Sequence, residues 1–337
     1  MSQHSNIIED LKNPQALPDP TSSVSVVQTH ISIVLIGDAF VYKVKKPVNF
    51  GFLDFSTLDK RRYYCDQEVR LNQRLSEGVY LEVLPVLYDG RTHRVGGDRG
   101  EAVEYAVRMR RIPEERLMKS LFARGELREQ DIEEIAGVLA NFHQRAECSA
   151  DIDAYGEPDK VRFSTDENFE QTERYLSRTI DPETYERIRL WTADFYARKE
   201  GLFRERIAAG RIRDCHGDLH MEHVCLMQPL CILDCIEFNE RFRYTDVLAD
   251  VAFLLMDLEY NGGVDLAERL WAHYTRGTGE EGMEELLTFY KVYRAYVRGK
   301  VNSFQLDDDQ IGAREKGEAA QRARRYFQLA LSYLKGR

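Results

Sequence analysis

The sequence has little of what marks fibrous, secreted or membrane proteins. It contains six cysteines and nine prolines in 337 residues, and the cysteines follow no regular spacing. The amino terminus, MSQHSNIIEDLKNPQ, has no apolar segment behind a basic start and so does not resemble a signal peptide. The most apolar stretch, residues 247–260, contains Asp250 and Asp257 and is too short to cross a bilayer. These features predict a cytoplasmic protein with reduced thiols and no membrane partner.

An excess of basic charge and a P-loop are also lacking. The formal net charge is −10, which argues against a nucleic-acid partner because phosphate contacts need a broad basic face. The pattern G-x-x-x-x-G-K-[ST] does not occur, so a Walker-type nucleotide fold is excluded. The chain has 43% hydrophobic and 31% charged residues, the composition of a globular protein, and it is long enough for two lobes.

The order of the predicted elements divides the chain into three parts. Residues 1–23 are expected to form a weak helix and a proline-broken linker. Residues 24–112 combine strands rich in valine and isoleucine with one substantial helix, and residues 113–337 are mostly helical. We therefore expect an α+β protein with a small antiparallel-sheet lobe and a larger helical lobe.

Turn and capping residues give some of the element ends. Gly37-Asp38 predicts the turn of a β-hairpin. One helix is expected to begin after an N-cap at Ser56 and to stop at Gly78. A longer helix is expected to begin at Asp181-Pro182 and to end at Gly210.

The stretch FVYKVKK, residues 40–46, places lysines on an apolar strand. Val41, Lys43 and Lys45 share one face because side chains alternate along a strand. A buried lysine is costly unless an anion meets it, so Lys43 could face a bound phosphate. The alternative is an edge strand whose lysines are solvated.

Glu68 lies in the apolar stripe of the following helix. Tyr64, Glu68, Leu71 and Leu75 are spaced i, i+4, i+7 and i+11. A lone carboxylate there is unfavourable unless a cation pairs with it, and Lys43 is the candidate. If the helix is rotated instead, Glu68 lies at the rim of the stripe.

The stretch CHGDLHMEHVCL, residues 215–226, has the pattern of a catalytic loop. Asp218 follows a strand and a glycine, and ILDCIEF sets Asp234 and Glu237 at the end of another short strand. Converging carboxylates can hold Mg²⁺, which bridges to substrate phosphates. Phosphoryl transfer requires such a metal, a positioned hydroxyl and a lysine on the nucleotide.

The same stretch also raises a zinc site as an alternative. The ligands it would use are Cys215, His220, His223, Cys225, Cys231 and Cys235. However, C-x-x-C does not occur, and structural zinc sites favour tight paired spacings. Because cysteine is among the most buried residue types, these thiols are more simply core residues.

The chain resembles the aminoglycoside phosphotransferase and small-molecule kinase group of the protein-kinase-like fold. The resemblance rests on the order of Lys43, Glu68, HGD at 216–218, Asp234 and DVLAD at 246–250. More narrowly, VYKVKKPVNFGFLDFSTLDKRR and CIEFN…DVLADVAFLLMDLE resemble a phosphotransferase-like region of bacterial proteins that is often fused to a P-loop ATPase domain. The resemblance implies a bilobal kinase-like fold, and a separate P-loop ATPase could be a partner.

The resemblance implies a role for each matching residue. Lys43 would hold the α- and β-phosphates of ATP, and Glu68 would orient Lys43. Asp218 would accept the proton of the substrate hydroxyl, and His216 would brace the loop. Asp234 would bind the metal.

Other positions receive less specific roles. The main chain near Val107 and Met109 would face the adenine. His223 stands where the group usually has asparagine as second metal ligand, and imidazole suits Zn²⁺ or Mn²⁺ better than Mg²⁺. Glu237 could be a further acidic ligand. Two more positions, Asp246 and Asp250, would cap a helix and fix the loop.

Basic residues near the carboxyl terminus could bind the acceptor. Arg294 and Arg298 follow a helical pattern in residues 289–305 and would suit an anionic acceptor. Aminoglycosides are polycations and would prefer an acidic pocket such as the loop 305–310. The other interpretation is that both arginines pair with internal carboxylates.

The expected function is transfer of the γ-phosphate of ATP to a hydroxyl of a small molecule, dependent on a divalent metal. One alternative is a nucleotide-binding pseudokinase or regulatory module, because His223 would impair metal use. Another is nucleotidyl transfer or protein modification on a kinase-like fold.

Overall fold

The computed structural model describes residues 3–308 and 311–335. In chain order these form α1 Gln3–Leu11, β1 Ser25–Gln28, β2 Ser32–Ile36, β3 Phe40–Lys45, α2 Leu58–Asn72, β4 Tyr80–Tyr88, β5 His93–Val95, β6 Glu101–Arg110, α3 Met118–Ala123, α4 Glu129–Arg145, α5 Ala150–Asp153, α6 Pro158–Thr172, α7 Pro182–Ala208, β7 Ile212–Asp214, β8 Val224–Cys225, β9 Cys231–Ile232, α8 Glu240–Arg243, β10 Tyr244–Asp246, α9 Val247–Tyr260, α10 Val264–Thr278, α11 Glu284–Phe304 and α12 Ala313–Tyr333.

Two compact units contain these elements. The first unit comprises residues 1–126 and 222–240, and the second comprises residues 127–221 and 241–337. The predicted α+β fold with an antiparallel sheet and a helical part is confirmed. The expected boundary between the two lobes near residues 112–113 stays a prediction. Each of the two compact units consists of two separate stretches of the chain.

The first unit is built on a six-stranded antiparallel sheet with the order β1-β2-β3-β6-β4-β5. Alternation along β3 sends Tyr42 and Val44 into an apolar cluster with residues of α1, β2 and β6. Lys43 and Lys45 therefore point to the opposite face. Since β3 pairs with β2 on one side and β6 on the other, it is not an edge strand, and the alternative of solvated edge lysines is wrong.

The predicted hairpin turn is confirmed between β2 and β3, where the Gly37 N–H donates to the Phe40 carbonyl at 2.9 Å. A further strand, β1, precedes the hairpin because the chain turns at Thr29, whose N–H donates to the Ser32 carbonyl at 2.9 Å. The N-cap of α2 is Thr57 and not Ser56, since the Thr57 hydroxyl accepts from the Lys60 N–H.

The helix α2 also ends earlier than expected, at Asn72 instead of near Gly78. Ser56, the predicted cap, uses its main-chain N–H and its hydroxyl on the carboxylate of Asp54. A side chain bonded to a preceding aspartate is no longer available to the helix terminus.

The second unit is a helical assembly around one apolar cluster. Phe253 and Met256 of α9, Val292 of α11 and Phe327 of α12 are core members. The prediction for α7 is confirmed: Asp181 accepts from the Thr184 N–H at 2.9 Å, and Pro182 is the first helical residue. No helix in the described ranges is long and apolar enough to cross a membrane.

Candidate functional site

Two lysines of β3 share one glutamate of α2. Lys43 Nζ lies 2.8 Å from Glu68 Oε1, and Lys45 Nζ lies 2.6 Å from Glu68 Oε2. The Glu68 side chain is fully buried, and those of Lys43 and Lys45 are 16% and 1% exposed. The ion pair predicted between Lys43 and Glu68 is therefore present, and Glu68 is not at a rim. Lys43 is the lysine that solvent can reach.

The opposite charges of Glu68 and the lysines shift one another's pKa values toward the ionised forms. Burial would raise the pKa of Glu68, but the ammonium groups of Lys43 and Lys45 lower it overall. Burial would likewise lower the pKa of Lys43, and the charges of Asp234 and Glu68 raise it well above its usual value. Glu68 is thus a carboxylate and Lys43 an ammonium ion at neutral pH, which a phosphate-binding lysine requires.

Asp234 lies beside Lys43 in a restricted conformation. Its Oδ1 is 2.7 Å from Lys43 Nζ, and its carboxylate is 47% exposed. The backbone of Asp234 is left-handed, with φ of 59°, a conformation that aspartate tolerates better than most residues. Its N–H donates to the Tyr80 hydroxyl at 3.1 Å. An unusual backbone held by a specific hydrogen bond is typical of functional positions.

Asn72 fixes the segment that carries Asp234. The Asn72 Oδ1 accepts from the Cys235 N–H at 2.9 Å, and its amide group donates to the Glu68 carbonyl at 2.9 Å. Because Glu68 and Asn72 are four residues apart on α2, they lie on the same side of the helix. One helix face thus positions both Lys43 and Asp234.

The donor set around Asp234 fits a divalent cation. Asp234 Oδ2 lies 3.6 Å from His223 Nε2, whereas Oδ1 faces Lys43. Two ligands of one cation, each about 2.1 Å from it, lie roughly 3–3.5 Å apart. Asp234 and His223 are therefore spaced as two ligands of one ion would be, with a small adjustment.

Glu237, the further expected metal ligand, contacts Lys45 Nζ instead and is buried. Burial raises the pKa of Glu237 overall, although the Lys45 charge opposes the effect. Its metal role stays a prediction, but Lys45 gives this carboxylate a different partner.

Val107 and Met109 lie inside the sheet. β6 pairs with β3 at these positions on one side and with β4 on the other. The main chain at Val107 and Met109 is therefore engaged in the ladders. Directly after β6, the Arg111 N–H donates to the Ala39 carbonyl at 2.9 Å. A main-chain contact to a base is more easily made by Ile112, because Pro113 has no N–H and its carbonyl accepts from the Arg116 N–H at 2.9 Å.

The loop that carries Asp218 lies in the second unit and is held by α9. The N–H groups of His216 and Gly217 donate to the Asp250 carboxylate at 3.0 and 2.8 Å. The Met221 N–H donates to Asp257 Oδ2 at 3.0 Å. Asp250 and Asp257 are seven residues apart, so they share one face of the helix.

His216 contacts the main chain of Asp218, and its expected role in bracing the loop stays a prediction. The Asp218 N–H donates to His216 Nδ1 at 3.3 Å, and Gly217 between them has φ of 88°, which favours glycine. His220 Nε2 lies 3.5 Å from Asp218 Oδ2. The Asp218 side chain is 34% exposed, so its carboxylate is accessible.

His143 of α4 extends this network. Its Nε2 lies 3.2 Å from Asp250 Oδ2, and its Nδ1 is 2.8 Å from the Tyr274 hydroxyl. Burial would raise the pKa of Asp250, but His143 and His216 lower it overall. Asp250 remains ionised and can accept both loop N–H groups. The structural roles expected for Asp250 and for Asp246, whose carboxylate accepts from the Leu248 N–H, are present.

The two arginines expected near the acceptor differ in their contacts. Arg294 is buried and donates to the carbonyls of Gly217 and Ala249, both at 3.0 Å. Arg294 therefore binds the loop through a carbonyl group, whereas Asp250 binds it through N–H groups. Arg298 makes no such bond, and its buried Nε has no acceptor among the described residues. Substrate roles for both stay predictions, but Arg298 is the better placed.

Five of the six cysteines are buried, and Cys148 is exposed. Cys65, Cys225 and Cys231 belong to one core cluster of the first unit, as the interpretation of these thiols as core residues expected. Cys215 and Cys235 are buried as well. Neither Cys225, Cys231 nor Cys235 belongs to a group of three metal-ligating side chains in the described part of the chain.

Sequence reasoning missed three residues of these networks: Lys45, Asn72 and His143. Lys45 shares a strand face with Lys43, and Asn72 follows Glu68 by one helical turn, so periodicity held a signal for both. His143 follows Leu139 and Phe142 on the apolar side of α4, where a buried imidazole needs a partner. The identity of that partner depends on tertiary packing.

A family model now adds to the geometry. The model described as "Phosphotransferase enzyme family" matches residues 59–286, more than half of the chain. The chain belongs to this phosphotransferase enzyme family. The predicted resemblance is confirmed, and the matched residues include Glu68, Asp218, His223 and Asp234.

Curated relatives of this family member occur in mycobacteria. Uncharacterized proteins of Mycobacterium tuberculosis and Mycobacterium bovis are 34% identical over 313 residues. The match covers 92% of this chain and 60% of each relative. The chain thus spans less than two thirds of the length of these relatives.

Solved structures share the fold at low sequence identity. A choline/ethanolamine kinase family protein from Mesorhizobium loti is 14% identical with a TM-score of 0.52, and 99% of each chain is covered. The GDP complex of aminoglycoside 2'-phosphotransferase-IIIa is 13% identical with a TM-score of 0.53, covering 92% of this chain and 94% of that one. A putative aminoglycoside phosphotransferase from Ralstonia eutropha is 13% identical with a TM-score of 0.53, covering 95% of each chain.

Proposed function

We propose that this phosphotransferase transfers the γ-phosphate of ATP to a hydroxyl of a small molecule and that a divalent metal ion assists the transfer. The observation that supports this most is the position of Asp234, with one oxygen on Lys43 and the other next to His223. A lysine that a buried glutamate holds in place, with an accessible carboxylate beside it, is what phosphate and metal binding require.

The first unit would bind the nucleotide. Lys43 would donate to the α- and β-phosphates, since Glu68 holds its ammonium group in place. Asp234 and His223 would hold Mg²⁺ or Mn²⁺, which when bound neutralises phosphate charge. Ile112, which follows β6, would offer main-chain groups to the adenine.

Asp218 of the second unit would accept the hydroxyl proton of the acceptor. His216, Asp250 and Arg294 hold the loop through its main chain, so the carboxylate keeps its orientation while remaining accessible. The attacking hydroxyl oxygen forms a bond to the γ-phosphorus, the bond to the ADP oxygen breaks, and the proton moves to Asp218.

Replacement of Asp218 tests this proposal. Asp218→Asn keeps the shape of the side chain but cannot take up a proton, so turnover is expected to fall by about 10²–10⁴-fold. ADP formation is measured with a panel of sugars, polyols and amino alcohols, and mass spectrometry identifies the product. Glu222→Gln is the matched control, because Glu222 is an exposed loop carboxylate paired with Lys119.

Three results would contradict the proposal. If wild type and Asp218→Asn bind ATP equally and neither phosphorylates any acceptor, a pseudokinase or regulatory function takes its place. If the product gains an adenylyl mass instead of a phosphoryl mass, the chain is a nucleotidyl transferase. A gain of phosphate on protein alone would indicate protein modification.

A further inference from the structure

Three arginines of the second unit surround a pair of stacked tyrosines. Tyr260 of α9 and Tyr326 of α12 lie with ring centroids 3.7 Å apart and planes 8° from parallel. The Arg325 guanidinium carbon is 4.5 Å from the centre of the Tyr260 ring, and that of Arg298 is 5.7 Å from the centre of the Tyr326 ring. Arg322 completes what we call the arginine–aromatic cluster: Tyr260, Arg298, Arg322, Arg325 and Tyr326.

Neutral groups are the partners of these arginines. Arg322 donates to the side-chain oxygens of Asn302 at 2.9 Å and Gln305 at 3.1 Å, and Arg325 donates to the Tyr260 carbonyl at 3.3 Å. Among the described residues none of the three cluster arginines forms an ion pair with a carboxylate. By contrast, Arg314 of α12, the helix that carries Arg322 and Arg325, forms an ion pair with Glu318 at 3.0 Å.

Two polar atoms in the cluster are buried and unpaired. Arg298 Nε and the Tyr260 hydroxyl have no hydrogen-bond partner among the described residues. Arg298 is largely desolvated and forms no direct ion pair with a carboxylate among the described residues, and the planar donors of a guanidinium match phosphate and carboxylate groups. A bound anion would meet both unpaired donors.

Arg298 lies one helical turn after Arg294, which donates to the Gly217 carbonyl at 3.0 Å, so α11 links the cluster to the loop that carries Asp218. Burial would lower the pKa of Arg298, but the Tyr326 phenol and the carboxylates of Asp218 and Asp257 raise it overall. Burial raises the pKa of Tyr260, although the charges of Arg325, Arg322 and Arg298 oppose that effect. All three positive charges thus act at the Tyr260 hydroxyl, and Arg298 also acts on Asp218.

We propose that the arginine–aromatic cluster binds an anionic group, phosphate or carboxylate, of the phosphate acceptor. The substrate class is then an anionic hydroxy compound and not a polycation. This assignment rests on the proposed function, because it takes Asp218 as the group that receives the hydroxyl proton. The guanidinium groups and the Tyr260 hydroxyl would donate to the anion, and the transferred phosphoryl group would join a separate hydroxyl of the same molecule.

Binding of inorganic phosphate tests the cluster without reference to activity. Isothermal titration calorimetry of the full chain compares wild type with Arg298→Gln and Arg325→Gln. We expect each variant to weaken phosphate binding by about tenfold or more. Arg314→Gln is the matched control and is expected to remain within about twofold. Arg325 is exposed, so its variant keeps the test valid if Arg298→Gln fails to fold.

Kinetics with matched acceptors test the substrate class. Glycerol 3-phosphate and glycerate each carry an anion, of phosphate and carboxylate type respectively, while glycerol is neutral and choline is cationic. We expect an anionic acceptor to exceed glycerol and choline by about tenfold or more in kcat/KM. Arg325→Gln should raise KM for that acceptor with little change in kcat, because it removes binding and not proton transfer.

The outcomes separate this proposal from the proposed function. Absence of phosphate binding by wild type, or unchanged binding in both cluster variants, overturns the anion site. If glycerol or choline is turned over and the rate is unchanged in both arginine variants, the anion site is also overturned, while the phosphotransferase activity stands. Phosphate binding that depends on Arg298 and Arg325, without turnover of any acceptor, supports the anion site and contradicts the phosphotransferase proposal.

Discussion

At the scale of single residues, the two lysines of β3 differ in their surroundings and in their expected roles. Lys45 is almost fully buried between Glu68 and Glu237, whereas Lys43 is partly exposed and also contacts Asp234. Lys45→Met leaves two buried carboxylates short of a cation and is expected to lower the free energy of unfolding by about 3–5 kcal/mol. Lys43→Met removes a phosphate donor and should weaken ATP binding by about tenfold or more. Urea unfolding and ATP titration of both variants check this pair.

A reversed pattern would contradict the assignment. If Lys45→Met weakened ATP binding while keeping its stability, Lys45 would be the nucleotide lysine. Lys60→Met serves as the control for loss of an exposed ion pair, since Lys60 contacts Asp54 at the surface.

In the proposed metal site, His223 would determine which metal ion is preferred. Asparagine offers an oxygen ligand of the kind that Mg²⁺ prefers, whereas imidazole suits Mn²⁺. His223→Asn is therefore expected to raise the ratio of Mg²⁺-supported to Mn²⁺-supported turnover several-fold. Initial rates over a titration of each metal measure the ratio, with His273→Asn as the control because His273 pairs with Glu129 on α4. An unchanged ratio would remove His223 from the metal site.

Local chemistry explains which residues could be predicted from the sequence. Asp181 and Asp246 were recognised because an N-cap acts on the next turn of its own helix. Lys43 and Glu68 were paired because each was costly to bury alone. The contacts of His143 with Asp250 and of Asn72 with Cys235 could not be predicted, since these partners lie far away in sequence.

At the scale of elements, α11 and α12 approach closely at Gly299. A Cβ built at Gly299 would lie 2.7 Å from the Phe327 ring. Alanine favours a helix, but here it must displace a buried ring, so Gly299→Ala is expected to destabilise the protein by about 1–3 kcal/mol. Gly317→Ala on α12 meets nothing within 4 Å and should stabilise it by about 0.5–1 kcal/mol. Thermal and urea unfolding compare the two; equal effects would contradict the close packing.

At the scale of the whole molecule, several carboxylates make stability depend on pH. The pKa of Asp181 is lowered by Thr184, that of Asp307 by Tyr175, and those of Glu68 and Asp250 by neighbouring charges that outweigh burial. A lowered pKa in the folded state contributes stability above the unfolded value of about 4, and this is lost as pH falls through the folded value. The free energy of unfolding should therefore decrease below about pH 4.

Urea titrations between neutral and strongly acidic pH check this dependence. Asp250→Asn should reduce the acid-range slope, because one strongly shifted carboxyl group no longer titrates. An unchanged slope in that variant would show that Asp250 has an ordinary pKa in the folded protein.

The fold class could be predicted from the sequence, which shows that the chain changes from mostly strand to mostly helix near Pro113. The order of the elements does not show which segments pack into the same unit. The return of residues 222–240 to the first unit depends on pairings such as Cys225 with Leu117 and the bond from Cys235 to Asn72. Pairings between distant segments leave no periodic pattern.

The anchoring of the Asp218 loop has a consequence for mutational tolerance. Asp250, Asp257 and Arg294 bind N–H and carbonyl groups of the loop, which any residue except proline supplies whatever its side chain. Selection can therefore exchange exposed loop side chains such as Glu222 without moving Asp218. Three positions on α9 and α11 lack that freedom, so laboratory evolution toward new acceptors should diversify the loop and leave those three unchanged.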